Sequence, residues 1–569
     1  MKRTFKNIFL ALTSSVIAFT SCIGDLDVDP LNPTEMSPNQ AYGTEVGAYL
    51  QGLTKIYYSF INTSGLNVAD GGASELVRAY WSCQEVTADA CKCAWSNDAW
   101  VRALNTNTWS EAQNDATYAV YCRTILGISY ANEFLRSTTE DMLDMRGCDE
   151  AVKARVRSFR AETRFIRAYL YWMAMDTFGN VPFTTEESPL GGGFIPTQTP
   201  RVELFNYIVG ELNAIAASGD MPAAQSNYPR ADIGSVYGLL ARLYLNAEVY
   251  TATETQPGTP MWAEAKAACE EIYKLGYAIC PDYAALFRGD NGENAQARGE
   301  FLFAVPYDAE DTQSYGGTGY LTFAAAAATD IKDDKGTASE EDDVFFGPTG
   351  INNGWAGIRV PDPYVQTYFS PAAYDFEAGT YSITDKRGQM FSIKGQTQDM
   401  ELYTFTTGWK CWKYNNYPHN KGPQDSDALA TARTKAYSDI DFPLIRLGEI
   451  HLIYAEACMH LGAEAQALPK LKELADRAGV TATTSITQEF LVAERARELM
   501  WEAHRRTDLI RYGMYGGSTS YSWPFKGGES AYGQTFEKYL ELFSIPPTEL
   551  ASNEELHQNP GYVDGSAAE

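Results

Sequence analysis

The stretch "VRSFRAETRFIRAYLYWMAMDTFGNVP", residues 156–182, constrains the fold more than any other. Phe159, Thr163, Ile166, Leu170 and Met173 fall three or four apart, which lines them along one face of an α-helix that needs a partner to cover it. Gly179 follows the last turn and Pro182 blocks continuation, so a helix is expected from about residue 151 to 178. Another is expected over 114–136, before a break at "CDE". A second helical region pairs "ADIGSVYGLLARLYLNAEVY" from Ala231 with "MWAEAKAACEEIYKLGYAI" from Met261. Asp232 is placed to cap the first helix and Pro260 to start the second. Gly238, Ala241, Ala247, Ala265 and Ala268 leave room for two helices to approach, a tetratricopeptide-like hairpin by pattern, without the full repeat consensus. A third region, "DFPLIRLGEIHLIYAEACMHLG", sets Ile450, Ile453, Tyr454, Ala457 and Leu461 on one stripe ending at Gly462.

Between these regions, residues 308–438 are rich in Asn, Gly, Pro, Tyr and Thr and lack helical periodicity. The fold expected is therefore mainly α: tetratricopeptide-like hairpins as scaffold, with a loop-rich, irregular half that carries the ligand site. Loops of that length in a compact protein are functional or mobile as a rule. The acidic run "DIKDDKGTASEEDD", residues 330–343, is expected to be a solvated loop; its acids lack EF-hand spacing, and calcium stays the open alternative there.

Composition narrows the partners. With 569 residues, 45% hydrophobic and 21% charged, the chain can bury a large core, and length admits roughly two to four domains. A formal charge of −28 steers polyanions such as nucleic acid away. There are 36 Tyr and 11 Trp, whose apolar faces and polar tips suit an exposed binding surface as well as a core. Of 10 cysteines, Cys83, Cys91, Cys93 and Cys122 are close enough in sequence for one local disulfide in an exported chain. No CxxC pair occurs and the five histidines are scattered, so no metal site is expected.

The N-terminus carries Lys2, Arg3 and Lys6 ahead of "IFLALTSSVIAF", residues 8–19. This is a charged region followed by an apolar run too short for a bilayer of about 30 Å. Thr20, Ser21 and Cys22 follow, a loose form of the lipobox of bacterial lipoproteins, with Phe19 where Leu is usual. The resemblance implies cleavage before Cys22 and its lipidation, which anchors stably when two or more acyl chains are added. Asp25, Asp27 and Asp29 resemble the acidic tag that sends Bacteroidetes lipoproteins to the outside of the outer membrane. No later segment approaches about 18 consecutive apolar residues.

Four further stretches share one resemblance: "AETRFIRAYLYWMAMDTFGNVP" from Ala161, "DFPLIRLGEIHLIYAEA" from Asp441, "ERARELMWEAHRRTDLIRYG" from Glu494 and "FSIPPTELASNEELHQNPGY" from Phe543. In this order they resemble the SusD/RagB family of outer-membrane nutrient-binding lipoproteins across essentially the whole chain. The organisation expected is a signal peptide at 1–21 and a lipidated tether at 22–40. A first region follows at 41–310, then a second at 311–569 with its loop-rich part at 311–438 and signature helices at 445–513. On the helix expected around Met500, Glu494, Glu498 and Glu502 share a face, with Arg505 and Arg506 spaced to pair with Glu502. Such carboxylates are expected to form an ion network, not an acid–base pair, and His451 and His504 have no metal-spaced partner.

The stretch chosen for contact is "YWSCQEVTADACKCAWSNDAWVRALNTNTW", residues 80–109, which has no sustained helical stripe. A sugar ring needs aromatic platforms for its C–H faces and amide, carboxylate and guanidinium groups for its hydroxyls. Trp95 and Trp100 with Asn97, Asp98 and Arg102 supply that mixture, whereas Trp81 and Trp109 resemble framework. The family's site is completed by later loops, where "QSYGGTGYLTF" offers Tyr315 and Tyr320 and "INNGWAGIRVPDPY" offers Asn353, Trp355 and Arg359. Glycines beside these aromatics would let backbone approach a sugar. The resemblance implies a non-catalytic lipoprotein on the cell exterior that captures oligosaccharides as a lid over a SusC-like TonB-dependent transporter. No cofactor is called for. Peptide capture, as in RagB-like members, is the alternative in the same architecture. A surface glycoside hydrolase would need a second carboxylate about 5 to 10 Å from Asp98, and none is identifiable.

Overall fold

The computed structural model describes residues 41–562 except 69–70, 110–112, 192, 254, 334, 338, 340, 399–400, 518–522 and 524–533. The expected leader, Cys22, Asp25, Asp27, Asp29 and three positions of the acidic run lie outside the described residues. In chain order the main elements are α1 (Val46–Tyr57), α2 (Leu76–Trp81), β1 (Lys92–Cys93), α3 (Ala99–Thr106), α4 (Asp115–Ser137), α5 (Glu150–Phe178), α6 (Arg201–Ser218), α7 (Ile233–Leu245) and α8 (Trp262–Tyr273). Then come β2 (Phe301–Val305), α9 (Gly317–Ala325), β3 (Ile358–Arg359), α10 (Asp362–Tyr368), β4 (Phe442–Arg446), α11 (Leu447–His460), α12 (Glu464–Ala478), α13 (Gln488–Glu498) and α14 (Arg505–Arg511).

The helices start and stop where local chemistry directs. Asn114 caps α4 by accepting from the Ala116 and Thr117 N–H groups, and Asp149 caps α5 by accepting from Val152 N–H. Asp232 and Ser235 form a capping box on α7. Gly179, at φ 72°, ends α5. Phe159, Ile166, Leu170 and Met173 are buried as the stripe predicts, each side chain contributing about 1.5–3 kcal/mol. Helices pack in neighbouring pairs, α4 on α5, α5 on α6, α7 on α8, α8 on α11 and α11 on α12. Gly238 serves a different neighbour from the one expected: a Cβ there would lie 2.8 Å from Ile445 Cγ2 and 3.2 Å from Leu302 Cδ2, so it seats α7 on the β2–β4 pair and not on α8. That pair is antiparallel, Phe442 opposite Val305 and Arg446 opposite Phe301, and joins the two halves of the chain within one core running from Tyr49 to Leu556.

The loop-rich half has its own nucleus. Trp409, fully buried, donates its indole N–H to Asp362 Oδ1 at 2.8 Å and is ringed by Tyr374, Phe376, Tyr381 and Phe391. The described residues of 308–438 are thus packed, and they include the short helices α9 and α10 that the sequence pattern did not mark.

One expected helix breaks. The segment around Met500 is a turn between α13 and α14, with Trp501 and Ala503 at φ 62° and 63°. Tertiary demands override helix propensity here. Trp501 turns its ring into the core, donates to Ala90 O at 3.0 Å, and accepts from Trp81 Nε1 at 2.9 Å through its carbonyl. Glu502 therefore leaves the face of Glu494 and Glu498 and pairs with neither Arg505 nor Arg506. Arg505 meets Asp89 at 2.7 Å, and Arg506 donates to Leu540 O at 2.7 Å.

The carboxylates do form an ion network, assembled from distant segments. Arg446, at the end of β4, donates to Glu300 at 2.9 Å, Glu498 at 2.6 Å and Glu502 at 2.6 Å. Arg477 of α12 reaches Glu300 at 2.8 Å and also pairs with Glu498. Arg387 binds Asp385, Glu494 and Glu498 at 2.7–2.9 Å, and Lys413 binds Glu502 at 2.6 Å. Burial works to raise the Glu498 carboxyl, but Arg477, Arg446 and Arg387 hold it well below the usual carboxylate range. His451 is likewise internal, between Tyr273 and Glu473.

Removing one partner from such a network leaves uncompensated buried charge. Arg446→Met is expected to cost about 3–5 kcal/mol in urea denaturation; a loss under about 1 kcal/mol would show that the network is passive. Burial also tends to raise Asp508, but Arg495 and Arg511 hold it at about 2. A depressed carboxylate stabilises the fold above its unfolded pKa, about 3.9, and loses that contribution as pH falls. Stability is therefore expected to drain between about pH 4 and about 2, and Asp508→Asn should flatten that part of the profile.

Candidate ligand-binding surface

Two short segments bring the Trp95 loop to the later loops. β1 and β3 pair antiparallel, Lys92 opposite Arg359 and Cys93 opposite Ile358, and Ala94 N–H continues the ladder to Gly357 O at 2.9 Å. Gly357 has φ +116°, and a Cβ there would lie 2.5 Å from Trp95 Nε1. Only glycine lets the indole rest on this backbone. The room expected to admit a sugar is filled by the protein's own tryptophan.

From Trp95 a chain of contacts runs to the rest of the surface. Its ring meets Tyr320 edge-on at 5.9 Å. The Arg78 guanidinium lies 4.3 Å over the Tyr320 ring and donates to Tyr315 O at 3.3 Å. Tyr315, 46% exposed, contacts Trp355 at 5.6 Å and Tyr437 at 4.9 Å. Trp355 stacks on buried Phe323 at 4.7 Å, and its backbone N–H donates to Phe323 O at 2.8 Å. Trp95, Tyr315, Trp355 and Tyr437 thus offer aromatic area over a rigid layer of Tyr320, Phe323 and Arg78.

Polar groups stand beside the rings. Asn97 and Arg102 are exposed, Asp98 is half-buried, and Asn353 is exposed next to Trp355. The Arg102 guanidinium donates to Ser96 O. Asp98 occupies the N-cap position of α3, an eight-residue helix too short to produce a sustained stripe. Three expected contact residues face inward. Trp100 is 7% exposed with its indole N–H unpaired, Tyr320 is 1% exposed, and Arg359 is fully buried beneath its strand. Trp100 and Tyr320 belong to the packing that supports the surface, and Arg359 lines a separate cavity. Trp81 and Trp109 are core residues, Trp109 donating to Tyr562 OH at 2.8 Å.

The disulfide expected among Cys83, Cys91, Cys93 and Cys122 is not formed; each carries a thiol. Burial pushes the Cys83 and Cys93 thiols up to about 12. Amides brace the loop instead. Asn105 Nδ2 donates to Cys93 O at 2.7 Å while its Oδ1 accepts from Cys93 N–H at 3.0 Å, and Asn114 Nδ2 donates to Trp100 O at 2.9 Å. Among the described residues no group of three or more His, Cys, Asp or Glu side chains gathers at metal-binding geometry.

Sequence reasoning missed Tyr437, Arg78 and Glu75. Tyr437 precedes the third helical region with no local pattern to mark it, whereas Arg78 in "ELVRAYW" is conspicuous as a cation inside an apolar run. Glu75 lies under the Tyr315 loop, fully buried, accepting from Tyr307 OH at 2.8 Å. Burial pushes its carboxyl up to about 8, against the pull of Tyr307 and Arg78, so it keeps its proton at neutral pH.

The model of the SusD family matches residues 299–562. The starch-binding protein SusD of Bacteroides thetaiotaomicron is 31% identical over 99% of both chains. Among solved structures, surface glycan-binding protein A from Bacteroides uniformis superposes with a TM-score of 0.65 at 18% identity, covering 90% of this chain and 99% of that one. A laminarin-binding SusD-like protein gives 0.62 at 20% identity over 92% and 100%. These structural likenesses bear on the fold.

A raised carboxyl pKa carries a sign. Between 4.5, its ordinary value, and about 8, the unfolded chain releases a proton that the folded chain keeps, so stability falls as pH rises. Glu75→Gln is expected to remove that slope, its advantage over the parent growing from pH 5 to pH 8 in urea denaturation. Parallel profiles would show that Glu75 ionises in place.

Proposed function

This chain belongs to the SusD family, and from that membership and the surface just described we propose that it is a cell-surface glycan-binding lipoprotein that captures oligosaccharides without cleaving them. The observation that carries the reading is the group of Trp95, Tyr315, Trp355 and Tyr437 on one rigid base. Flat aromatic faces fit the C–H faces of sugar rings, and Asn97, Asp98, Arg102 and Asn353 supply donors and acceptors for hydroxyls at the edges. The kinship with a starch-binding protein supports a glucan-like ligand. A surface fixed from behind by Arg78 and Phe323 needs little reorganisation on binding, which favours affinity.

In this reading Cys22 is lipidated and holds the chain on the exterior of the outer membrane. No helix among the described residues is long and apolar enough to cross a membrane. Captured oligosaccharide passes to a SusC-like TonB-dependent transporter, over which the protein acts as a lid. The acids Glu494, Glu498 and Glu502 are committed to arginine and lysine partners, which supports a scaffold role for them and not acid–base chemistry.

Isothermal titration of residues 23–569 against soluble oligosaccharides, with a peptide digest as control and product analysis on each mixture, tests the function. Binding of one glycan without cleavage is expected, weakened about tenfold or more by Trp95→Ala or Trp355→Ala. Binding of peptides alone, or released sugar products, would overturn it. Cys22→Ala should move the full chain from the membrane fraction to the soluble fraction of the cell envelope; unchanged fractionation would remove the anchor.

A further inference from the structure

A cavity of about 740 Å³ lies apart from the aromatic surface, walled by residues of the 327–348, 394–412 and 423–429 segments. Trp355 and Ala356 bond to Phe323 O and Ala326 O, at 2.8 and 2.7 Å, and none of Trp95, Tyr315, Trp355 and Tyr437 lines the cavity. Ala327 and Arg359 face the cavity. Its wall is aromatic: Phe346 and Phe405 are 48% and 44% exposed, and the buried indole N–H of Trp412 has no partner. Its charges are mostly positive. Lys394, Lys410 and Arg359 line it, with Asp330 the one acid among the described lining residues.

Those cations are an unfavourable arrangement for the fold by itself. Lys92 stands directly opposite Arg359 in the β1–β3 pair, and like charges in that position destabilise a ladder. Arg359 donates to neutral acceptors, Gln396 Oε1 at 3.1 Å and the carbonyls of Ala325 and Ile358. Lys410 divides its ammonium between Asp330 Oδ1 at 2.6 Å and Lys394 O at 2.8 Å. Burial, with a smaller push from Arg359, brings Lys92 down to about 7, and burial also lowers Lys410. Buried charge short of counter-charge is costly. In a chain of formal charge −28, an anion from outside would complete the set.

We propose that this cavity is a second binding site, taking a sugar unit that bears an acidic group, a carboxylate or a sulfate ester. Arg359, Lys394 and Lys410 hold the acid, the Trp412 N–H donates to the ligand, and Phe405 and Phe346 pack against the ring. The choice of a sugar rests on the glycan-binding reading above; the acidic group follows from the cations alone.

Isothermal titration with galacturonic acid oligosaccharides, their neutral galactose counterparts and a sulfated galactose oligosaccharide tests the site. At least one acidic ligand is expected to bind about tenfold or more tightly than the neutral one. Lys394→Glu and Phe405→Ala, both at exposed positions that leave the core intact, should each weaken it by about tenfold, and Trp95→Ala should leave it unchanged. Binding of the uronate alone assigns the carboxylate, of the sulfated sugar alone the sulfate, and of both the shared charge. Equal affinity for neutral and acidic sugars, no binding of either, or a loss that follows Trp95→Ala and not Lys394→Glu, would overturn the proposal. Acidic binding by a parent protein that binds no neutral glycan at all would instead count against the aromatic surface.

Discussion

Everything else in this molecule hangs on the buried charge network around Glu498 and Arg446. Five acids, Glu300, Asp385, Glu494, Glu498 and Glu502, converge with Arg387, Lys413, Arg446 and Arg477 from segments far apart in the chain. Buried ion pairs add little net stability over well-packed apolar residues, because desolvation offsets the attraction. What they impose is position: a carboxylate out of water must find its cations, so helices α12 and α13, the end of β4 and the loop carrying Arg387 have one compatible arrangement. The turn at Trp501 is a consequence of that arrangement, since Glu502 must reach Arg446 and Lys413 while Trp501 fills the core.

From this centre the constraint passes outward to the binding face. Trp81 and Trp501 hydrogen-bond each other's neighbourhood and lock α2 to the turn. Arg78, one turn before Trp81 on α2, then fixes Tyr320 by its charge and the Tyr315 carbonyl by a hydrogen bond. The exposed rings therefore rest on side chains that are themselves immobilised by the core. Loops so supported can diverge in their outward residues without loss of fold, the usual division between a rigid scaffold and variable contact residues.

The two candidate sites share one wall but differ in chemistry. The aromatic surface has amide and hydroxyl-binding groups at its edge and suits a neutral ligand. The cavity behind the 353–359 segment concentrates cations against phenylalanine rings and suits an acidic one. Arg359 belongs to the latter although its sequence neighbours Trp355 and Gly357 serve the former: a continuous extended segment would turn residues 355, 357 and 359 to one side, and the positive φ of Ala356 and Gly357, 54° and 116°, breaks that alternation.

Helix content, caps and family kinship were legible from the residues alone. The stripe from Phe159 to Met173, the cap at Asp232 and the stop at Gly179 all depend on neighbours three or four positions away, and such local terms survive in a linear reading. Trp95, Tyr315 and Trp355 stood out too, each set among glycines, amides and other small residues; in the fold Tyr315 is exposed and the two tryptophans are half-buried. Tertiary structure alone decided that Trp100, Tyr320 and Arg359 turn inward, that Tyr437 joins the surface, that amides and not a disulfide brace the Trp95 loop, and which of the chain's many acids meets which cation. Those outcomes depend on contacts beyond the reach of helix or strand spacing, from Asn105 against Cys93 to Arg446 against Glu300, where the energy of desolvating a ring or a charge exceeds any local preference. The sequence determined which segments could be helix and which side chains could bind; only the fold determined which of them face the solvent together.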